Sequence, residues 1–281
     1  MKVGIIGYGF VGRALHNGFN SDVEVLAVDP KLKTSVSDLG NFFPDIVFIS
    51  VPSPMNDNGT QNLSILNDVF KQLTSLKMNS TIVLKSTILP DAIIKLNSRY
   101  PNFVHNPEFL REKYANQDFI KSNLIVFGGS TDCVNIVSNF YEKHTKCECK
   151  EYVITDLVTA SLIKYSINTF LATKVTFFNE INKIFTASDA KDSWENFTRY
   201  LSKDKRIGDS HMSVPGHDGK FGFGGACLPK DSRALIEFAK EKGIALDVLS
   251  KVVKVNNNIR GQYNIDQREF DQNVNFFDKE K

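Results

Sequence analysis

The sequence predicts an α/β fold, in which a Rossmann-type doubly wound parallel sheet is joined by a long helix to a mainly helical second domain. In the first half of the chain, short apolar runs alternate with stretches of helical spacing, a pattern typical of parallel sheets with helical crossovers. A glycine-rich turn follows the first apolar run. The stretch from Asp156 to Phe185 has helical periodicity and contains neither Pro nor Gly. It is longer than a typical helix of a globular protein.

Six strands and seven helices are predicted along the chain. The strands are Lys2–Ile6, Glu24–Val28, Asp45–Val51, Thr81–Lys85, Phe103–His105 and Leu124–Phe127. The helices are Val11–Phe19, Leu63–Leu76, Asp91–Arg99, Asp156–Phe185, Asp192–Leu201, Ser232–Lys242 and Leu246–Ile259, and Thr155 or Asp156 is the expected cap of the longest. We therefore predict three regions: a Rossmann-type α/β domain over 1–154, a helical central domain over 155–262, and a polar tail over 263–281 that we expect to fray.

The composition is that of a globular protein that is neither nucleic-acid-binding nor membrane-embedded. Of 281 residues, 42% are hydrophobic and 23% charged, and 34 basic against 32 acidic side chains leave a net charge of +2. This balance lacks the basic excess of a nucleic-acid-binding domain. No apolar run reaches the roughly 18 residues of a membrane-spanning helix, and the N-terminus does not resemble a secretory signal. Four cysteines form no disulfide framework, so a cytoplasmic location is expected.

Gly7, Gly9 and Gly12 form a G-x-G-x-x-G pattern between a predicted strand and a predicted helix. They would permit a tight turn, a close approach of the backbone to a pyrophosphate, and close packing of helix on strand. Asp29 ends the next strand and would bind the adenosine ribose, which favours NAD over NADP, although neighbouring lysines leave NADP open. The alternative is a glycine turn that binds nothing. The predicted cofactor-binding residues here are Gly7, Tyr8, Gly9, Phe10, Val11, Gly12, Asp29 and Lys31.

The run GFGGACLPKD, residues 222–231, is the most informative segment of the chain. Three glycines precede Cys227, while Lys230 and a helix start near Asp231 would favour its thiolate. The alternative is a structural cysteine buried in an apolar core, which the flanking glycines and charges disfavour.

This run resembles the catalytic-cysteine motif of the UDP-glucose/GDP-mannose dehydrogenase family. Further stretches agree with that family in the same order, over roughly residues 1 to 262. They are VPSP at 51–54, KST at 85–87, NPEFLRE at 106–112, KYSIN at 164–168, Asn179-Glu180, DKRIG at 204–208, Val255-Asn256 and Arg260. Family members continue into a further α/β domain that helps hold the nucleotide, and this sequence is expected to lack it.

The resemblance implies a two-step, NAD-dependent oxidation of a sugar primary alcohol to a carboxylate, through a thiohemiacetal and a thioester on Cys227. The catalytic residues that it implies are Cys227, Lys164, Asn168, Asp231, Thr87 and Glu112. Further cofactor contacts are implied at Pro52, Ser53, Ser86, Thr87, Glu112 and Lys230. The implied substrate contacts are Glu108, Phe109, Leu110, Arg111, Lys164, Asn168, Arg206, Gly224 and Arg260. Among nucleotide sugars UDP-glucose is the first expectation, but the sequence does not fix the sugar or the base.

Each of these residues also has a plainer interpretation. Lys164 and Asn168 are four residues apart and would also suit an exposed helix face. Glu108, Arg111 and Glu112 would also form a solvated charge cluster. Arg206 would also suit a surface cation, and Thr87 would also suit the end of a strand. Arg260 would either reach a substrate across a dimer interface, as the resemblance implies, or cap a helix.

Two other functions remain open. One is a one-step dehydrogenase of the β-hydroxyacid type, which has no need of Cys227; the other is a catalytically idle NAD-binding protein, or a half that works only with a partner chain. An apolar stripe on the long helix predicts a homodimer through the central helices; it comprises Leu157, Ala160, Ile163, Ile167 and Leu171. No metal is predicted, because His144, Cys147 and Cys149 lack a second ligand pair at the spacing of a zinc site.

Overall fold

A seven-stranded sheet is built from the first half of the chain, in a computed structural model that describes residues 1–276. Its order is β2-β1-β3-β4-β5-β6-β7, and every neighbouring pair is parallel except β5 with β6. This confirms the predicted α/β class. The strands are β1 (Lys2–Ile6), β2 (Glu24–Val28), β3 (Ile46–Ile49), β4 (Thr81–Leu84), β5 (Phe103–His105), β6 (Val126–Gly128) and β7 (Val153–Thr155).

Helices cover both faces of the sheet because alternate side chains of its central strands are apolar on both sides. In β3, Ile46 and Phe48 enter one hydrophobic core while Val47 and Ile49 enter the other, and all four are fully buried. The helices of this part are α1 (Phe10–Gly18), α2 (Leu39–Phe42), α3 (Ser64–Ser75), α4 (Pro90–Arg99), α5 (Ala115–Ile120) and α6 (Thr131–His144). Short 3-10 turns lie at Pro30–Leu32, Val36–Asp38 and Glu112–Tyr114.

The chain divides into two compact units. The first comprises Met1–Ser53 and Asn62–Lys164; the second comprises Pro54–Gln61 and the chain from Tyr165 onward. The helices that follow the sheet are α7 (Leu157–Ala187), α8 (Trp194–Leu201), α9 (Leu228–Glu241), α10 (Asp247–Arg260) and α11 (Gln267–Asp271). Asp156 caps α7, because its Oδ1 accepts hydrogen bonds from the backbone N–H groups of Val158 and Thr159. The domain limits predicted at 154 and 262 stay predictions.

Several elements differ from those expected. The strand β7 and the helices α5 and α6 are not predicted, although α6 buries Val134, Val137 and Tyr141 at helical spacing. Helix α9 begins at Leu228, four residues before the predicted start, because Pro229 lies in the first turn, where its missing N–H costs no hydrogen bond. Asp231 and Lys230 are therefore helical residues.

The expectation that the chain frays after residue 262 is wrong as far as residue 276. Glu269 on α11 is fully buried, and Val274 and Phe276 are buried as well. Asp266 and Glu269 form a reciprocal capping box that starts α11. The rest of the predicted tail, 277–281, lies outside the described residues.

Among residues 1–276, no helix combines the length and the apolar composition needed to cross a membrane. Over the same residues, no three His, Cys, Asp or Glu side chains are grouped so that they could share a metal ion.

Candidate active site

The glycine turn after β1 has the geometry of a dinucleotide-binding loop. Gly7 has φ +89°, and a Cβ there would lie 2.7 Å from the carbonyl oxygen of Ser50. A Cβ on Gly12 would lie 2.3 Å from the carbonyl oxygen of Gly7, so helix α1 packs against the turn as only glycine permits. At Gly9, by contrast, a Cβ would meet nothing within 4 Å. The open position at Gly9 and the N-terminus of α1, which starts at Phe10, together leave room for a phosphate.

Asp29 directly follows β2 and faces this turn. Its Oδ2 accepts a hydrogen bond from the Tyr8 backbone N–H at 2.8 Å, and its Oδ1 accepts one from the Lys31 N–H at 2.9 Å. Each carboxylate oxygen can accept two hydrogen bonds, so each keeps one for a ribose hydroxyl. These residues fit a bound NAD, and the Asp29 carboxylate would repel the extra phosphate of NADP.

The loops after β3 and β4 end at the same edge of the sheet as the glycine turn, as parallel strands require. The Ser53 hydroxyl donates to the Thr87 carbonyl oxygen at 2.9 Å, and the Ser86 hydroxyl donates to the Val51 carbonyl oxygen at 2.7 Å. Ser53, Ser86 and Thr87 are buried, whereas Pro52 between them is exposed. The structure thus brings these four predicted cofactor contacts together at one edge.

Lys164 and Glu108 form a buried ion pair in the first unit. The Lys164 ammonium lies 3.2 Å from Glu108 Oε1 and donates to the Glu108 carbonyl oxygen at 2.5 Å, and only 4% and 8% of the two side chains are exposed. Lys164 Nζ also lies 5.2 Å from the centre of the Phe109 ring. The interpretation of Lys164 as part of an exposed helix face is therefore wrong, and so is that of Glu108 as a solvated charge.

A second buried lysine, Lys85, is close enough to this pair to interact electrostatically with both of its charges. Its ammonium donates to Asn106 Oδ1 at 2.9 Å, and the Tyr141 hydroxyl donates to the same oxygen at 2.6 Å. Burial lowers the pKa of Lys85 to about 7, although attraction to Glu108 opposes that shift. Lys85 belongs to the KST stretch at 85–87, but the sequence predicts no role for it.

The remaining residues of the segment after Glu108 differ in exposure. The Leu110 N–H donates to Glu108 Oε2 at 2.6 Å, which holds the start of the segment against the ion pair. Arg111 is 63% exposed and pairs with Asp118, and Glu112 opens an exposed 3-10 turn. Partial burial would raise the pKa of Asp118, but the pair with Arg111 outweighs it and lowers that pKa. For Arg111 and Glu112 the structure agrees with the solvated interpretation.

In the second unit, Asn168, Asp231 and Lys230 form one buried network. Asp231, only 1% exposed, accepts a hydrogen bond from Asn168 Nδ2 at 2.6 Å and pairs with Lys230 Nζ at 2.6 Å. Asn168 is 6% exposed, so it too does not lie on an open helix face. The amide of Asn168 thus holds Asp231, and the charge of Lys230 is balanced by that carboxylate.

Cys227 is the residue before the first turn of α9. Its carbonyl oxygen accepts the Asp231 N–H at 3.0 Å, and the residue is partly exposed. This position is the positive end of the helix dipole, where negatively charged groups are favoured. Lys230, which was also expected to favour the thiolate, is paired with Asp231. A partly exposed Cys227 also contradicts the alternative of a residue buried in an apolar core.

The two predicted substrate arginines of the second unit differ in their surroundings. Arg206 is 89% exposed and pairs with Asp204, two residues away. Arg260, at the end of α10, is only 1% exposed and pairs with Glu269 at 2.6 Å and with Asp218 at 2.8 Å. Contact of Arg260 with a substrate stays a prediction, and it would require these ion pairs to open.

Sequence reasoning assigns no role to three residues that hold the glycine loop before Cys227. Asn179 accepts from the Gly222 N–H at 2.9 Å, Asn256 from the Phe223 N–H at 2.7 Å, and Glu269 from the Gly225 N–H at 3.0 Å. The signal for Glu269 was present in the sequence, because Asp266 and Glu269 have the spacing of a capping box.

Comparison with known proteins identifies two family segments in the chain. Residues 31–145 match the NAD binding domain of the UDP-glucose/GDP-mannose dehydrogenase family, and residues 158–258 match its central domain. The chain is 36% identical over 221 residues to the UDP-glucose 6-dehydrogenase of Rickettsia bellii, covering 75% of this chain and 49% of that protein. It is 30% identical to the putative UDP-glucose 6-dehydrogenase YtcA of Bacillus subtilis, covering 94% of this chain and 69% of that protein. The chain spans about half the length of most of the curated relatives it matches.

Solved structures show the same fold at low identity. The UDP-glucose dehydrogenase of Pyrobaculum islandicum superposes with a TM-score of 0.76 at 24% identity, covering 92% of this chain and 68% of that one. The 3-hydroxyisobutyrate dehydrogenase of Mycobacterium tuberculosis superposes with a TM-score of 0.68 at 12% identity, covering 98% and 96%. At these identities the likeness concerns the fold alone.

Proposed function

Because the chain belongs to the UDP-glucose/GDP-mannose dehydrogenase family, we propose that it oxidises the primary alcohol of a nucleotide sugar to a carboxylate with NAD. UDP-glucose, giving UDP-glucuronate, is the substrate to test first, because curated relatives at 30–36% identity carry the name UDP-glucose 6-dehydrogenase. The observation that carries the proposal is a partly exposed Cys227 at the N-terminus of α9, two residues after a glycine loop.

The family places an NAD binding domain in the first unit, which agrees with the predicted cofactor. Gly9 and the N-terminus of α1 would hold the pyrophosphate, and Asp29 would hold the adenosine ribose. Bound NAD would supply the hydride acceptor for two oxidations, alcohol to aldehyde and thiohemiacetal to thioester.

Cys227 provides the covalent step between these oxidations. Its thiolate attacks the aldehyde carbon, a C–S bond forms, and the carbonyl oxygen takes up a proton to give the thiohemiacetal. After the second oxidation, water attacks the thioester carbon and the C–S bond breaks. The carboxylate leaves, the electron pair of the broken bond returns to sulfur as the thiolate, and the two protons of the water pass through the base to solvent.

Buried polar groups would handle the negative charge that develops on oxygen at each tetrahedral stage. Lys164 would present its ammonium, already desolvated and held by Glu108, and Asn168 would present its amide. Donors of this kind contribute about 3 kcal/mol each to transition-state stabilisation where they have been removed in other enzymes. Asp231, aided by Thr87, would position the base and the water, and Glu112 would assist thioester hydrolysis.

The stoichiometry of NADH formation tests the route. Purified chain is incubated with NAD and limiting UDP-glucose, and NADH is counted by absorbance. We expect two NADH per sugar for the wild type and for the Cys149→Ser control, a partly exposed cysteine in the first unit. Cys227→Ser should give at most one NADH per sugar, with aldehyde accumulating.

The alternative is a one-step dehydrogenase of the β-hydroxyacid type, because such an enzyme shares the fold and has no need of Cys227. One NADH per substrate from both the wild type and Cys227→Ser, formed at equal rates, would support that candidate. Tight NAD binding without NADH formation from any nucleotide sugar would support an idle NAD-binding protein or a half that needs a partner chain.

We also propose a homodimer through α7. Of the stripe predicted from the sequence, Ala160 is fully buried and the other four residues are partly buried. A different stripe is exposed: Phe170 at 65%, Phe177 at 54% and Ile184 at 63%, seven residues apart and so on one helix face. Phe170→Asp with Phe177→Asp should give a monomer by light scattering, whereas the exposed Phe43→Asp control should not.

A cytoplasmic location is part of the same proposal, because the route needs a reduced thiol. All four cysteines lie within residues 1–276, and none of them forms a disulfide there. A reducing compartment preserves them in that form.

A further inference from the structure

The glycine loop before Cys227 is held by side chains from three separate helices. Its N–H groups donate to Asn179 on α7, to Asn256 on α10 and to Glu269 on α11, at 2.9, 2.7 and 3.0 Å. The last of these bonds is made by Gly225, two residues before Cys227. Gly225 has φ +79°, a conformation that glycine adopts readily. Because glycine adopts negative φ about as readily, Gly225 alone does not hold the loop in this conformation.

Glu269 is itself fixed by a buried cluster of charges. Its Oε1 lies 2.6 Å from Arg260 Nη2, and Arg260 Nη1 lies 2.8 Å from Asp218 Oδ2. Arg260 is 1% exposed and Glu269 is fully buried, so neither charge can turn to water without the segment moving. Burial would raise the pKa of Asp218, but hydrogen bonds from Arg260 and from the Lys220 backbone outweigh it and lower that pKa.

The cluster and the loop leave no space between them. A Cβ on Gly224 would lie 2.1 Å from Arg260 Nη2 and 2.3 Å from Glu269 Oε1. The loop backbone therefore lies directly on the ion pair, and a displacement of Glu269 must be transmitted to Gly224 and Gly225.

The segment that carries Glu269 lies beyond the residues that match the family's central domain. The match to the central domain ends at residue 258, whereas α11 spans Gln267–Asp271. A second contact fixes the segment: the Met55 N–H donates to the Gln272 carbonyl oxygen at 3.0 Å, and Asn273 Nδ2 donates to the Met55 carbonyl oxygen at 2.9 Å.

We propose that Glu269 is a positioning residue for Cys227: through its bond to Gly225 and its pair with Arg260, it holds the loop so that the thiol stays at the N-terminus of α9. The inference rests on the proposed function of Cys227 as the nucleophile. Residues 266–276 thus act as a latch that sets the reactivity of the Cys227 thiol through the glycine loop.

Thiol alkylation tests the latch without any need for turnover. Full-length wild type, Glu269→Gln and Glu269→Ala are treated with iodoacetamide below their unfolding temperatures, and labelling is quantified by peptide mass spectrometry. Cys149, partly exposed in the first unit, is the internal reference. We expect the ratio of Cys227 to Cys149 labelling to fall about fivefold in Glu269→Ala, the scale on which a helix N-terminus stabilises a negative charge placed beside it.

Glu269→Gln separates the two contacts, because its amide oxygen can still accept from Gly225 while the ion pair is lost. We expect a smaller fall for this variant, and no change for Glu241→Gln, an exposed glutamate at the far end of α9. In active enzyme, kcat should fall with the labelling ratio while KM for NAD stays constant.

A labelling ratio within twofold of wild type in both Glu269 variants, even with a lower unfolding temperature, would overturn the latch and leave Glu269 a purely structural residue. A ratio that increases would overturn it too, since the segment would then shield the thiol. Failure of the proposed function has a different signature: wild type would form no NADH from a nucleotide sugar, or it would keep its full turnover after alkylation at Cys227.

Discussion

The buried ammonium of Lys85 predicts that the first unit becomes more stable as the pH rises from 7 to 9. Burial lowers the pKa of Lys85 from its ordinary value of 10.5 to about 7 in the folded chain. Between pH 7 and pH 9 the Lys85 side chain is mostly protonated in the unfolded chain and loses its proton in the folded chain. The unfolded chain therefore binds more protons, and the free energy of unfolding increases with pH. Linkage over the two pH units gives an increase of about 2 kcal/mol from this group alone.

The comparison that isolates this term is wild type against Lys85→Met. Methionine fills a similar volume without a charge, and Asn106 keeps the hydrogen bond from the Tyr141 hydroxyl. The increase between pH 7 and pH 9 should therefore be absent in Lys85→Met and present in Lys95→Met, an exposed lysine on α4. The range ends at pH 9 because burial raises the pKa of the Cys147 thiol above its ordinary value of 9.0. Above pH 9 this thiol ionises in the unfolded chain before it does so in the folded chain, which lowers the free energy of unfolding.

The assay must report on the first unit, since the single tryptophan, Trp194, lies in the second. Urea unfolding is followed by brief proteolysis, and surviving peptides from β3, β4 and β5 are quantified by mass spectrometry. An equal increase in wild type and Lys85→Met would refute the reasoning, as would a wild type that loses stability between pH 7 and pH 9.

Two further predictions concern the glycine turn and the buried ion pair. Gly9→Ala should leave the unfolding temperature unchanged and weaken NAD binding measured by calorimetry, because its Cβ meets nothing in the chain. Gly12→Ala should lower the unfolding temperature by forcing the Gly7 carbonyl away, and equal stability of the two variants would contradict the packing argument. Lys164→Met should cost about 3–5 kcal/mol of unfolding free energy in urea titration, since it leaves the buried Glu108 carboxylate without its cation. Lys164→Met with Glu108→Leu should recover most of that loss; no recovery would show that the charge is not its source.

Sequence reasoning predicted the sheet because the central strands are apolar on both faces. In β3 this holds for every residue from Ile46 to Ile49, and all of them are fully buried. The same pattern fails at Val153–Thr155, an edge strand of three residues whose side chains are mostly exposed. Such a strand is fixed by pairing with β6 rather than by its own composition.

The site was predicted less completely, because its chemistry depends on which polar groups meet. The spacing of Lys164 and Asn168 places them one turn apart on a helix, yet Lys164 pairs with Glu108 and Asn168 donates to Asp231. No local pattern contains these partners, since they are 56 and 63 residues away in the chain. Glu269 is missed for another reason. The polar composition after residue 262 predicts a frayed tail, although the spacing of Asp266 and Glu269 indicates the start of a helix.

The second unit has a consequence for how the chain can be divided. It includes Pro54–Gln61, which lie between two stretches of the first unit in the sequence, and Met55 of this segment hydrogen-bonds to Gln272 and Asn273. A cut at residue 164 would separate that short peptide from the helices it supports. The C-terminal fragment would then lack the hydrogen bonds that Met55 makes in the intact chain. A chimera of two homologues should therefore take residues 54–61 from the same homologue as the residues after 164.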